Sequence, residues 1–394
     1  MANTFNTNKL TDLVAVRAAE SAGYLTVGSK SYFKDQLVGK RNGQTYEFVV
    51  KDAGAFQIGP DLSATGASEL SEKKVSKSLV DGAIAISTNI IEGVTDVDWD
   101  KEIAQPNGTK LANGITKMVV DADLGLQTVA FVGEGFVPLA KAAGHLKSIS
   151  DDSLYGFIDP NIQAILASNG QQFVPAGAPE LYKSGLLGNF HGVEYRSSRW
   201  MPTVEIGDDL VTEIAASKVT SYTDNGDGTA TLKLASITKD IPKGTPVYIA
   251  GVYATDIVGD KTSNLAAFIA VEDATAGSVK VRAVEFTGEG TKTVCDSTGK
   301  ELTAAKLAGK AVSVPPAGTY HAGIVRVDGA MEFDTLDKLD WSNADSKTSS
   351  VAGVTVHENR AVDSIKGSNV TRFDIVALAG IVEPRACVYV LVKG

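Results

Sequence analysis

Four histidines and two cysteines in 394 residues leave little material for the chemistry those side chains usually carry. Cys295 and Cys387 lie far apart and form no CxxC pair, so neither a zinc site nor a disulfide framework is indicated, and a reducing compartment fits. His145, His191, His321 and His357 make no HExxH or other close ligand pair, which removes a metalloprotease. Gly133-Glu-Gly135 and the other glycine pairs never complete GxGxxG or GxxxxGK[ST], and no GxSxG elbow is present. No run approaches the roughly 20 apolar residues a membrane span needs. The start Met1-Ala-Asn-Thr-Phe-Asn-Thr-Asn-Lys9 lacks a secretory pattern. The expectation is a chain made and folded in a cytoplasm, with no catalytic, cofactor-binding or metal-binding residues.

A surplus of positive charge is also missing. Lys and Arg number 37 against 47 Asp and Glu, giving a net charge of -10 and a pI near 5.0. Tight binding to nucleic acid rests on clustered cations that release counterions, so no direct grip on phosphates is expected. What is present is ordinary globular usage, 43% hydrophobic and 21% charged, in a length that suits two or three domains.

Leu10, Leu13, Val14 and Ala18 at near-helical spacing predict a short N-terminal helix in a loosely held arm. Residues 39–89 read as two β segments, Thr45–Val50 and Val75–Ser87, joined by a glycine-bearing polar excursion too poor in large apolar residues to bury itself. Leu111, Ile115, Met118, Val119 and Ala122 form one apolar helical stripe, with Pro106 and Gly108 interrupting any longer helix. Residues 136–147 predict another helix with Pro138 in its first turn.

The stretch 154–202 organises the rest. Leu154-Tyr-Gly-Phe-Ile-Asp-Pro160 is a strand ending at a proline that opens a helix to Leu166. Leu181-Tyr-Lys-Ser-Gly-Leu-Leu-Gly-Asn-Phe-His-Gly192 is a glycine-punctuated approach, and alternation takes over at Val193 and Tyr195. Residues 203–318 change character. Thr223-Asp-Asn-Gly-Asp-Gly-Thr229 is a hairpin signal, and strands follow at 246–251, 265–271 and 278–286 with turns at Gly244, Gly259 and Gly277, a small barrel or sandwich. A calcium loop fails there: with Gly228 at the sixth position, Thr223 and Leu234 fall where carboxylates are needed. Residues 295–318 read as the return path, with Pro315-Pro316 as an exit hinge. The tail 371–392 holds two nearly continuous apolar strands around Glu383-Pro-Arg385, as expected of strands covered on both faces. Trp99, Trp200 and Trp341 read as packing anchors.

The order of elements in 154–202, the two-strand tail and the mid-chain barrel resemble the major capsid (coat) proteins of tailed bacteriophages, with their Hong Kong 97 fold. The barrel is similar to the inserted domain, or I-domain, of one short-tailed branch. The resemblance implies an α+β fold divided into an N-terminal arm (1–38), an extended loop or E-loop (39–89), a peripheral P-domain with a spine helix (90–150) and a first part of the apical A-domain (151–202). An inserted antiparallel β-barrel (203–318) and a return through the apical and peripheral domains (319–394) complete it.

It further implies self-assembly into pentamers and hexamers of an icosahedral virion shell enclosing double-stranded DNA without sequence-specific binding, built in the host bacterial cytoplasm. Scaffolding and portal proteins, and decoration proteins on the finished shell, are the implied partners. Lys40, Arg41, Lys51, Glu69, Glu72, Lys73 and Lys74 become inter-subunit contact candidates, and Trp200 a packing candidate at the insertion boundary. Two other readings stay open: a β-rich adhesin or carbohydrate-binding surface protein, suggested by the Thr- and Gly-rich strands of 203–290, and a nanocompartment shell protein.

Overall fold

The computed structural model describes residues 7–31, 45–51, 72–89, 100–170, 189–275, 277–288, 291–336, 346–363 and 368–394. The class is mixed α+β, and the described residues gather into two compact units. Strands are numbered β1 to β22 and the longer helices α1 to α5 along the chain, a four-residue helix at Gly23–Thr26 being left unnumbered.

The first unit is built on a six-stranded sheet. Strands β1 (Ser29–Lys30), β18 (Met331–Thr335), β21 (Ser368–Ile381), β20 (Val354–Asp363) and β19 (Ser346–Val351) follow one another in that order. Strand β4 (Val80–Asn89) pairs antiparallel with β21 over ten residues, Ser368 opposite Asn89 through to Ala377 opposite Val80. Helix α1 (Thr7–Ser21) packs on β19 and β20. Leu10, Val14, Ala15 and Ala18 are buried there, and the Ser349 hydroxyl donates to Asp12 at 2.6 Å. Three of the four stripe residues are thus buried, Leu13 only partly, and the helix is packed rather than loosely held.

Helix α2 (Gln105–Asp123) differs from expectation in a second way: Pro106 does not end it. A π-helical turn, Asp100–Ala104, runs directly into it. Proline lacks an N–H, yet in the first α turn the loss is small, and the wider π turn before it leaves room for the ring. Gly108 has its own role. A Cβ there would lie 2.6 Å from the Val14 carbonyl and 2.9 Å from Arg17 Cβ, so α1 and α2 cross on a bare backbone.

The second unit centres on a seven-stranded sheet in the order β5 (Val129–Glu134), β22 (Cys387–Lys393), β17 (Gly318–Val327), β6 (Leu154–Ile158), β8 (Val193–Ser197), β7 (Asn189–Phe190). One edge of the long strand β17 is shared in turn by β9 (Thr203–Ile206) and β6. Helix α3 (Val137–Ile149) covers β5 and β22, with Pro138 in its first turn as read from sequence. Asp159 turns β6 into α4 (Pro160–Gly170) by accepting the Asn161 N–H at 2.7 Å. Gly156 lies opposite Tyr195, and a Cβ there would come within 2.4 Å of that ring, so only glycine lets the buried tyrosine lie across β6. Residues 181–188 of the organising stretch fall outside the described residues.

Between β9 and β17 the same unit holds helix α5 (Asp208–Ala216) and two further antiparallel sheets. The first joins β10 (Val219–Asp224), β11 (Thr229–Leu234) and β14 (Ser278–Arg282). The second joins β13 (Lys261–Ile269), β12 (Pro246–Thr255) and β15 (Val294–Cys295), with β16 (Val312–Ser313) also on β12. Leu232, Val279, Val281, Val247, Ile249 and Phe268 are buried, and Tyr222 meets Phe268 and Phe286 edge to face at 6.3 and 5.2 Å.

The strands expected at 246–251, 265–271 and 278–286 are all present, and Gly244, Gly259 and Gly277 adopt φ values of 87°, 90° and 69°. The reading placed residues 203–206 in this module, but β9 belongs to the larger sheet, and 295–313 supply strands as well as a return path. The module is tied to β5: Ala267 N–H donates to Thr128 O at 2.8 Å and the Tyr248 hydroxyl to Ala130 O at 3.2 Å. These bonds cover what would otherwise be a bare sheet edge.

Strands β2 (Thr45–Lys51) and β3 (Glu72–Ser78) form a two-stranded sheet by themselves. The second β segment read from sequence thus divides at Leu79, β3 turning to β2 and β4 to β21.

Candidate interaction surfaces

The hairpin carries most of the charged residues singled out in the sequence. Lys51 ends β2, and Glu72, Lys73 and Lys74 open β3, whereas Lys40, Arg41 and Glu69 lie outside the described residues. Neither strand pairs with any other described strand.

The β module presents a different surface, made of tight turns. At the β10–β11 hairpin, Asp227 Oδ1 accepts the Thr229 N–H at 2.9 Å and the Thr229 hydroxyl at 2.5 Å, and Gly226 and Gly228 take φ of 78° and 77°. The Thr229 hydroxyl and then its N–H hold the Asp227 carboxyl below the usual carboxylate range. That is a glycine turn braced by its own side chains, as the failed calcium register implied.

Two further turns share one pattern that the sequence reading missed. In Asp256-Ile-Val-Gly-Asp260 the carboxylate accepts the Val258 and Asp260 N–H groups at 3.0 and 2.8 Å. In Asp296-Ser-Thr-Gly-Lys300 it accepts the Thr298 and Lys300 N–H groups at 2.7 and 3.0 Å. Both backbones close identically, residue one donating to the carbonyl of residue five at 2.9 Å and glycine to that of residue one at 3.1 Å. The repeated D-x-x-G spacing was the signal. Lys261 Nζ bonds Ser297 O at 2.8 Å and so holds the two turns side by side. On the first of them Ile257 and Val258 stand 39% and 56% exposed, two adjacent large apolar side chains on a rigid tip.

Trp200 is half-buried immediately before β9, with the Arg199 guanidinium 4.8 Å from its ring centre.

The histidines are spent on structure. His145 sits edge-on to Phe131 and 3.3 Å from Asn264 Nδ2, and burial lowers its pKa. His191 caps a turn at φ 52°, its ring against Phe190. His357 is buried between the Leu336 carbonyl at 2.7 Å and the Thr348 hydroxyl at 3.1 Å. His321 alone brings an acid and a hydroxyl together: Asp159 Oδ1 lies 3.6 Å and Thr203 Oγ1 3.4 Å away, but both from the same nitrogen, Nδ1. A proton relay needs acid and nucleophile on opposite ring nitrogens, so this trio is not wired as one. No group of three potential metal ligands occurs among the described residues, and none of the described helices is long and apolar enough to cross a membrane.

No protein-family model matches the chain, and no curated protein matches it in sequence. Among solved structures it is similar to one titled Mycobacterium phage Che8, at 13% identity and a TM-score of 0.45, over 92% of this chain and 89% of that one. It is similar to the capsid structure of cyanophage P-SCSP1u at 11% identity and a TM-score of 0.43, over 90% and 85% of the two chains. A virus-like particle from Pyrococcus furiosus aligns at 10% identity and a TM-score of 0.40, over 97% and 98%.

Proposed function

We propose that this chain is the shell-forming subunit of a tailed bacteriophage, a major capsid protein of the Hong Kong 97 type, and that it performs no catalysis. The observation that carries the reading is the β2–β3 hairpin, whose strands pair with each other and with no other described strand. A lone two-stranded ribbon is marginal in water, so it calls for a surface to lie on, and a neighbouring copy supplies one. Of residues 39–89, the part before β4 then acts as the extended loop, with Lys40, Arg41, Lys51, Glu69, Glu72, Lys73 and Lys74 meeting the neighbour, while β4 stays in the six-stranded sheet. The module of 219–313 acts as the inserted domain, its Ile257–Val258 tip suited to a further contact between copies.

In this reading function is geometry. Apical regions close pentamers and hexamers, extended loops tie each subunit to the next, and permanent contacts of about 2,000 Å² or more per interface close the shell. Repetition makes the whole stable even where one contact is weak. The net charge of -10 keeps the subunit from clinging to the enclosed double-stranded DNA. Scaffolding, portal and decoration proteins complete the assembly. Electron microscopy of the purified, concentrated protein tests this: closed shells or capsomer sheets are expected, and discrete small particles at every concentration overturn it. Nucleic acid recovered from expressed shells separates a DNA container from a protein-filled nanocompartment.

A further inference from the structure

Asparagine followed by glycine is a pair that can react with itself: the glycine nitrogen attacks the asparagine carboxamide, and no glycine side chain stands in the way. Five such pairs occur in the chain, and Asn42-Gly43 lies outside the described residues. Asn107-Gly108 and Asn113-Gly114 lie inside α2, and Asn169-Gly170 ends α4. In a helix the backbone N–H groups are spent on carbonyls one turn earlier, which withholds the attacking nitrogen. Asn107 Nδ2 is also tied to Ile103 O at 2.6 Å. Among the described pairs only Asn225-Gly226 sits in a turn, between β10 and β11, where residues 223–228 are exposed.

Each atom that would react there meets a partner suited to its part. Gly226 N–H, which must give up its hydrogen before the nitrogen attacks, donates to Asp224 Oδ1 at 2.8 Å. Asn225 Oδ1, where negative charge gathers as the nitrogen adds, accepts the Thr231 hydroxyl at 3.2 Å. Asn225 Nδ2, the leaving nitrogen, donates to Thr229 Oγ1 at 3.0 Å. A base on the nucleophile and a donor on the developing oxyanion are the two aids on which acyl chemistry draws most. Ring closure joins atoms of adjacent residues, so no distant element has to move, and Gly226 at φ 78° brings no Cβ to the turn.

We propose that Asn225-Gly226 is a self-modifying site, promoted by Asp224 and Thr231. The Asp224 carboxylate takes the Gly226 amide proton, and the nitrogen bonds to Asn225 Cγ while Thr231 steadies Oδ1. The Cγ–Nδ2 bond then breaks, and the proton returns through solvent to the leaving nitrogen, which departs as ammonia and leaves a succinimide ring. Water opens that ring at either carbonyl, giving aspartate or, with the backbone rerouted through the side chain, isoaspartate. Water is the sole co-reactant. The product sets a new carboxylate between Asp224 and Asp227 and loses the Nδ2 bond to Thr229, so the hairpin loosens as the protein ages. All of this rests on the hairpin's own contacts and not on the shell reading.

The test ages the full-length protein in neutral buffer for days and follows each asparagine by peptide mapping. Exchange of NH2 for OH reports conversion, and anion exchange separates the more negative product. Asn225 should convert at least about tenfold faster than Asn107 or Asn113. Asp224→Asn, which keeps the shape and removes the base, should slow it about tenfold, and Thr231→Val severalfold. The thermal transition shows that each variant is folded, and Thr231→Val carries the test should Asp224→Asn misfold.

Conversion of Asn225 no faster than that of the helical pairs overturns the proposal. Faster conversion in either variant does so too, because these bonds would then shield the carboxamide. Conversion unchanged in both variants overturns it as well, since the site would then be no more than any exposed Asn-Gly pair.

Discussion

The central sheets of the two units are made of similar strands and stabilised differently. In the seven-stranded sheet, Val388 through Val392 of β22 are fully buried with no charge among them. The buried Arg326 of its neighbour β17 lies over the Phe157 ring at 4.6 Å. The six-stranded sheet instead buries Glu332 and Asp334 on β18, His357 and Glu358 on β20, and Asp374 on β21. Glu358 accepts from Thr11 of α1 and from Arg360, and Arg372 grips Asp374 at 2.7 Å. The lesson is that one sheet depends on apolar area and shape, the other on the pairing of buried charges such as Glu358 and Asp374. They should fail by different routes.

The largest effect expected is in the apolar sheet. Phe157→Ala empties a fully buried ring site and uncovers Arg326, and should cost about 3–5 kcal/mol by urea unfolding, with little dependence on pH.

In the charged sheet the corresponding change is Arg372→Ala. Asp374 has its pKa raised by burial even with Arg372 pulling it down, while Asp81 pushes it up. Losing the arginine, itself nearly half exposed, should cost about 2 kcal/mol at neutral pH. The sign follows from the direction of the shift. A carboxyl whose folded value is raised favours the fold fully below its ordinary value near 3.8 and loses that contribution as pH rises through the folded value. The deficit of the variant should therefore shrink on acidification toward pH 4 and be greatest at neutrality. A pH-independent deficit would erase the contrast between the sheets.

The smallest effect is a gain. Ala352 holds φ 48° beside Gly353 at φ 80° in the two-residue turn joining β19 to β20. Alanine is strained in the left-handed region. Ala352→Gly should raise stability by about 0.5–1 kcal/mol in thermal unfolding, sharpening the picture of a sheet limited by local terms.

Much of this was legible in the sequence where local chemistry decides. Pro160 opening α4, Pro138 in the first turn of α3, and the Asn-Gly and Asp-Gly pair between β10 and β11 each act within a few residues, and each lies where it was read. What escaped depends on distant partners. β21 and β22 read as one two-strand tail, yet they enter different sheets, because nothing in an apolar run names its neighbour. Helix α5 was hidden in a stretch that looked uniformly β-rich, and Pro106 seemed to break a helix that a π turn carries through.

The claim on which the account depends is that copies of this chain complete one another. Cryo-electron microscopy of concentrated full-length protein tests it most directly, through the position of the β2–β3 hairpin. Density placing that ribbon across an adjacent subunit of a closed shell is the predicted result. A particle of one or two copies, with the ribbon laid on its own chain, would contradict it.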